Sequence, residues 1–401
     1  MEVVFIDPEP PGPAGGGIRT YTRLALALCR DVGVPTRIYT HTPAAYPGEN
    51  AFPIGRSPCL PRPLLGLAYR LGYAENVLWE QARWLERELS SADVPGRVYE
   101  FADFLGYAFF ALRNPRLRPR CQVRVHTPAF LIAPAPAKTL DRFISKISAW
   151  RERDCLMRAS CLTAPSAEFM REKLPWLQGW KHVPNPLPPD ADTVPASPRR
   201  MARAEAAARF LYLGRVEPRK GVLPLVRAFA RMAGERPFAS LTLVGATGDE
   251  AYADAVKNAI GSQPRSIRDR IAWEPPCAPA ERAALFGCHT ALVVPSLWEN
   301  SPYVYFEGMA AGLVCIGSAT GEMKAVARAT GAPSPRPGDE DAWAGALLAH
   351  CDGNDADLHM AQKAYLASRR AGAAAGLLAA WRASVLGERP IRERAASRSG
   401  A

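Results

Sequence analysis

Thr290-Ala291-Leu292-Val293-Val294-Pro295-Ser296-Leu297-Trp298-Glu299-Asn300-Ser301-Pro302-Tyr303-Val304-Tyr305-Phe306-Glu307-Gly308-Met309-Ala310-Ala311-Gly312 reads as a strand, a loop and a helix in succession. The short apolar run 290–294 has the β-branched content of a buried parallel strand. Ser301 is the expected N-cap, Pro302 the first helical residue and Gly312 a left-handed C-cap. Open α/β sheets bind ligands outside the carboxyl ends of their strands, where helix N-termini offer N–H groups. This unit therefore fixes both a fold class and a place for a site.

Two carboxylates stand in it. Glu299 near a helix start is favoured by the helix dipole, and Ser296-x-x-Glu299 also has the spacing of a capping box, which is its plain structural reading. Glu307 lies in a helix with no other charge, so it needs a partner or a ligand. Gly308, Ala310 and Ala311 leave room for close approach. A pair of carboxylates accepting from vicinal hydroxyls suits a sugar and a ribose.

The E-x₇-E spacing of Glu299 and Glu307 resembles the signature of the retaining GT-B glycosyltransferases of family 4. The resemblance implies that Glu299 contacts the donor sugar and Glu307 the nucleotide ribose. It also places Asn300, Ser301 and the amides of Tyr303 and Val304 at the donor. Pro302 stands where that family often has Gly, which removes one N–H from the set.

The chain has 401 residues, long enough for two domains. Charged residues make up 22% and apolar ones 48%, an ordinary globular composition without a membrane-length apolar run. The N-terminus opens directly on strand-like Glu2-Val3-Val4-Phe5-Ile6-Asp7, predicting no secretory leader. Nine cysteines without a C-x-x-C pair point to reduced thiols and a cytoplasmic protein. The net charge of +11 is weighted toward residues 1–189 and favours phosphate-bearing ligands or an anionic bilayer, so the inner face of a membrane is a second expected location. No nucleic-acid module is present. The run Arg113, Arg116, Arg118, Arg120, Arg124 reads as a solvated loop entering a strand.

Along the chain, strand 2–7, helix 17–32 and strand 36–40 are followed by a Pro-rich excursion to about 66. Helix 75–89, strands 97–101 and 122–126, helix 140–158 and strand 161–164 complete the first half. Residues 186–207 read as a linker rich in Pro, Asp, Ala and Arg. Strands and helices then alternate from 210 to 329, a helical stretch covers about 357–385, and the tail 389–401 has a disordered composition. The expected architecture is α/β of the GT-B type, two doubly wound Rossmann-like domains facing a cleft. Residues 1–185 are assigned to acceptor binding, 208–355 to donor binding, and 356–388 to C-terminal helices packing across the domains.

Leu211-Tyr212-Leu213-Gly214-Arg215-Val216-Glu217-Pro218-Arg219-Lys220-Gly221 is the second informative stretch. Fixed cations at a strand's carboxyl end stabilise a leaving diphosphate more than the bound ground state. By resemblance Arg215 and Lys220 carry that role, while Arg219 reads as a solvated basic turn. Gly214 ends the strand, and Gly245 ends a neighbouring one where the family passes near the base. Gly15-Gly16-Gly17 precedes a helix start; a glycine-rich turn is often only a turn, but the family has a glycine pair there, giving Gly16 and Gly17 a donor role.

His126 ends a strand; a lone His is as often a structural hydrogen-bonder, and the resemblance assigns it to the donor sugar. Glu100 and Asp103, after another strand, are the candidate acceptor contacts. One departure is Gly321-Glu322-Met323-Lys324-Ala325, which lacks the family's G-G-x-x-E glutamate. Asp190-Ala191-Asp192, Asp339-Glu340-Asp341 and Asp355-Ala356-Asp357 match D-x-D by chance, and no metal site is expected.

The expected activity is metal-independent, retaining transfer of a sugar from a nucleotide-diphosphate sugar to a hydroxyl. The acceptor is a glycan, a lipid-linked glycan or a small secondary metabolite. The donor is a co-substrate and no other cofactor is called for; nucleic acid is not a partner. Peripheral membrane association is compatible with the charge. The other reading is a noncatalytic sugar-nucleotide-binding protein on the same fold, with phosphorolytic or hydrolytic action a distant enzyme alternative.

Overall fold

A computed structural model describes residues 1–9, 16–57, 62–132, 139–187, 208–353 and 356–386. In chain order the strands are β1 (Glu2–Asp7), β2 (Thr36–Thr40), β3 (Ala51–Pro53), β4 (Arg97–Ala102), β5 (Cys121–Arg124), β6 (Cys161–Ala164), β7 (Lys181–His182), β8 (Arg209–Leu213), β9 (Ser240–Val244), β10 (Ile271–Glu274), β11 (Ala291–Val294) and β12 (Val314–Gly317). The helices are α1 (Gly17–Asp31), α2 (Arg62–Ser91), α3 (Ala129–Ile132), α4 (Thr139–Arg158), α5 (Ala167–Lys173), α6 (Val222–Ala233), α7 (Glu250–Gly261), α8 (Arg265–Arg268), α9 (Arg282–Gly287), α10 (Tyr303–Ala310), α11 (Gly321–Thr330), α12 (Glu340–Asp352) and α13 (Ala356–Val385).

The chain divides into two compact units, one of residues 1–165, 173–186 and 372–401, the other of 166–172 and 187–371. The first holds a seven-stranded sheet in the order β3-β2-β1-β4-β5-β6-β7, and the second a five-stranded sheet in the order β10-β9-β8-β11-β12. Among the described residues every strand pairing is parallel.

Both faces of the second sheet are covered. Phe210, Tyr212, Leu241, Leu243, Ala291 and Val293 pack on one side with α6 and α12. Leu211, Leu292, Val294 and Cys315 pack on the other with Tyr305, Phe306 and Met309 of α10. Alternation along the strands thus feeds two cores, which is why β11 reads as an unbroken apolar run. A Cβ on Gly308 would stand 2.6 Å from Leu292 Cδ2, so this small residue seats α10 on β11 rather than admitting a ligand.

Several element ends differ from the expectation. Helix α2 begins at Arg62, with Pro63 in its first turn, where Pro is tolerated. Strand β3 occupies part of the Pro-rich excursion as an edge strand, the position where proline costs no ladder bond. Helix α12 carries Asp339 as its N-cap, accepting from Ala342 N–H at 2.9 Å. The C-terminal stretch is one 30-residue helix, α13, divided between the units at residue 371/372. Most of the linker, the tail 389–401, Gly15, Asp190-Ala191-Asp192 and Asp355 lie outside the described residues. No helix among those described is long and apolar enough to cross a membrane.

Candidate active site

In the second sheet the strand order reverses between β8 and β11, and the loops leaving these two strands meet there. Leu297 N–H donates to Arg219 O at 2.8 Å, joining them directly. Gly221 adopts φ +66°, and a Cβ on it would sit 2.1 Å from Pro295 O. Only glycine meets both demands. Gly321 does the same for the third loop: φ is +53° and a Cβ would lie 2.0 Å from Glu299 O.

Glu299 is the centre of this arrangement. Its Oε1 accepts from Lys220 Nζ, from Arg219 Nη1 at 3.1 Å and from Ser296 Oγ at 3.1 Å. The capping-box reading of Ser296 therefore gives way to a side-chain bond that holds Glu299. Burial works against the charged carboxylate, but Lys220 and Arg219 outweigh it and hold Glu299 below its usual range. With three donors on Oε1, Oε2 remains the acceptor available to a ligand hydroxyl.

Arg219 corrects the sequence reading. It is not a solvated turn residue: its other nitrogen donates to Glu217 Oε1 at 2.9 Å, and its guanidinium lies 5.0 Å from the Trp298 ring centroid. Trp298 in turn packs on Phe169 of α5, with ring centroids 6.3 Å apart. Arg215 is the outward cation, 60% exposed, 3.3 Å from Glu217 Oε2. Tertiary contacts with Trp298 and Glu299, the latter 80 positions away, distinguish Arg219 from Arg215.

Glu307 has the partner its isolation demanded. Arg282 Nη1 lies 3.0 and 3.2 Å from its two oxygens. Burial pushes the Glu307 carboxyl up, and Arg282 only partly offsets it. Gly214 and Gly245 abut at the ends of β8 and β9, where a Cβ on Gly245 would meet Gly214 O at 1.9 Å.

Helix α10 starts at Tyr303 with Pro302 in the N-cap position, one residue later than expected. Ser301 is not the cap; its hydroxyl accepts from Arg369 Nη2 at 3.3 Å. Tyr303 and Val304 form the first turn, where backbone N–H groups point outward along the axis. Asn300 is buried in the adjoining loop, and its carbonyl accepts from Glu322 N–H at 2.8 Å. Gly312 has φ +75°, as a left-handed end requires. Glu322, in the first turn of α11, where the sequence departs from the family pattern, is buried against Arg369 at 2.7 and 3.1 Å. That pair anchors α13 to the Ser301 loop.

The remaining candidates form a separate group in the first unit. Glu9 occupies the start of α1: its Oε2 accepts from Arg19 N–H at 2.9 Å, and a Cβ on Gly16 would collide with Oε1. An internal carboxylate thus sits where the Gly16-Gly17 turn was expected to meet a diphosphate. The His126 ring stacks edge-on against Tyr21, centroids 4.8 Å apart, and the His126 backbone N–H donates to Asp103 Oδ1 at 3.1 Å. Burial, then the neighbouring Arg124, hold its imidazole well below the usual range, so it is neutral.

Glu100 and Asp103 do not fit an acceptor role here. Glu100 is 3% exposed and accepts from Tyr21 Oη at 2.5 Å, Gln122 Nε2 at 2.8 Å and Trp381 Nε1 at 2.6 Å. Asp103 is 1% exposed and braces the His126 loop. Sequence position after a strand suggested the cleft, but inward-facing residues of β4 belong to the core. Arg124 likewise is buried rather than solvated, donating to Val183 O at 2.9 Å and Asn185 Oδ1 at 2.7 Å.

Asp339, Glu340 and Asp341 are accounted for by the α12 cap and by ion pairs with Arg227 and Arg231. Among the described residues no three His, Cys, Asp or Glu side chains assemble into a metal-binding group.

Residues 207–352 match the family described as glycosyl transferases group 1. Among solved structures, the chain is similar to a sucrose-phosphate synthase from Thermosynechococcus elongatus, with TM-score 0.65 and 17% identity, over 94% of this chain and 99% of that one. A glycosyltransferase from Rickettsia africae gives TM-score 0.68 at 13% identity, over 96% and 99%. WaaG, a glycosyltransferase involved in lipopolysaccharide biosynthesis, gives 0.60 at 16%, over 92% and 95%. Compared with curated protein sequences the chain has no match. The fold is GT-B, with two parallel-sheet α/β units. The family match covers 146 of the 401 residues, all of them in the second unit.

Proposed function

We propose that this protein is a retaining, metal-independent glycosyltransferase that takes its sugar from a nucleotide-diphosphate donor. The observation that carries the reading is the convergence of Lys220, Arg219 and Ser296 on one oxygen of Glu299, at the switch point of the second sheet. A carboxylate fixed and ionised in this way accepts from the donor sugar's hydroxyls through Oε2. Lys220 has three N–H bonds, so it can keep one on Glu299 and turn the others to a phosphate oxygen. Arg215, exposed beside it, meets the second phosphate.

As the bond from the anomeric carbon to the phosphate oxygen breaks, negative charge grows on the departing nucleoside diphosphate. Lys220, Arg215 and the α10 N–H groups of Tyr303 and Val304 stabilise that charge more than the bound donor. The acceptor oxygen bonds to the anomeric carbon on the face the diphosphate leaves, and its proton passes to the departing phosphate oxygen. Glu307 accepts from a ribose hydroxyl.

The acceptor is a hydroxyl of a glycan, a lipid-linked glycan or a small metabolite, and nine cysteines without a C-x-x-C pair suit a cytoplasmic setting. The reading is tested by incubating the protein with nucleotide sugars and EDTA, and following nucleoside diphosphate release with and without acceptors. Release that needs an added divalent ion would remove the metal-independent part. Binding without release under any acceptor would favour a noncatalytic sugar-nucleotide-binding protein.

A further inference from the structure

We infer that the outer face of α4 is a docking surface for an anionic lipid bilayer. Phe143, Lys146, Trp150, Arg153 and Met157 recur at steps of three and four residues and form one stripe along this helix. Phe143 is 62% exposed, and Trp150 and Met157 are each 51% exposed. The opposite face is buried through Arg151, Glu152, Cys155 and Leu156. A helix with a buried inner face and large apolar side chains along its outer face has more apolar surface than the fold covers.

The stripe's composition selects the occupant. Arg142, Lys146 and Arg153 alternate with the aromatics, Asp141 is the one exposed acid, at the N-terminal end, and the chain's net charge is +11. Aromatic rings beside Lys and Arg on an in-plane helix suit the headgroup region of a negatively charged leaflet. A second copy is disfavoured, since a two-fold contact would set the same cations against each other. A single-stranded nucleic acid needs a groove for its backbone, and this surface is a convex helix.

Trp150 is held for the purpose. Its ring lies 5.5 Å from Phe109, which packs on Trp79 at 4.6 Å and under the Arg113 guanidinium at 3.4 Å. The inner face of α4 also grips the loop that follows His126. Glu152 accepts from Leu105, Ala129 and Phe130 N–H groups at 2.6, 3.1 and 3.0 Å. The inference is independent of the donor chemistry.

The test is sedimentation of the full chain with vesicles of phosphatidylcholine alone or with about 30% phosphatidylglycerol, without donor or acceptor. Binding is expected on the anionic vesicles only, weakening steeply with salt. The triple variant F143S/W150S/M157S and the variant R142E/K146E should each bind at least about tenfold more weakly. Both replace exposed residues, and an unchanged thermal melt shows that they fold. Failure of the wild type to sediment would overturn the inference, as would equal binding by the variants. A wild-type dimer that the triple variant converts to monomer, without vesicle binding, would reassign the face to self-association.

Discussion

Arg219 Nη1 donates to Glu299 Oε1 at 3.1 Å, while Arg219 Nη2 donates to Glu217 Oε1 at 2.9 Å. One guanidinium therefore ties the end of the β8 loop to the β11 loop, with Trp298 under its plane. Its charge adds to that of Lys220 in holding the buried Glu299 ionised.

Replacing Arg219 by Met should therefore act through Glu299. It leaves a buried carboxylate with less compensation and costs about 3 kcal/mol of stability. In the wild type the Glu299 pKa is depressed, so its contribution to stability is present above 4.5 and is lost as pH falls through the folded value. In R219M that acid limb should move to higher pH in both the melting temperature and kcat. An unmoved limb would show that Arg219 does not govern Glu299.

Lys220→Ala should lower kcat by about 10²-fold or more, with a smaller change in donor affinity. Initial rates over a range of donor concentrations check this split. Equal losses in affinity and none in kcat would make Lys220 a ground-state contact only.

Much of the second unit was legible from residues alone. The runs 222–233 and 290–294 have helix and strand periods that the core confirms, and Glu299 and Lys220 stand together as their strand-end positions implied. What sequence could not supply was long-range pairing. Nothing local separates Arg219 from Arg215, or marks Arg282 as the counterion of Glu307 and Arg369 as that of Glu322. In the first unit the same limit misplaced Glu100, whose partner Trp381 lies 281 positions on.

Glu100→Ala tests that correction. Three donors lose their acceptor, so stability should fall by about 3 kcal/mol or more. Below the melting range, kcat and acceptor KM should stay near wild type. A selective rise in acceptor KM would return Glu100 to acceptor binding.

His126 is held neutral, so no kinetic limb near pH 6.5 should belong to it. The unfolded chain would take up a proton there, so its contribution to stability is present above 6.5 and fades as pH falls below that value. Following the His126 ring by NMR from pH 8 to about 5 checks the sign. Protonation near 6.5 in the folded protein would contradict the burial described for it.

The most direct test of the Glu299–Lys220 centre is thermal unfolding of wild type and K220A with UDP, GDP, ADP, dTDP and CMP and their common sugars in EDTA. One nucleotide series should stabilise the wild type by about 2.7 kcal/mol at about 100 times its dissociation constant, and K220A by clearly less. Stabilisation by none of them, or equal stabilisation of K220A, would contradict the assignment of this centre to a nucleotide-diphosphate sugar.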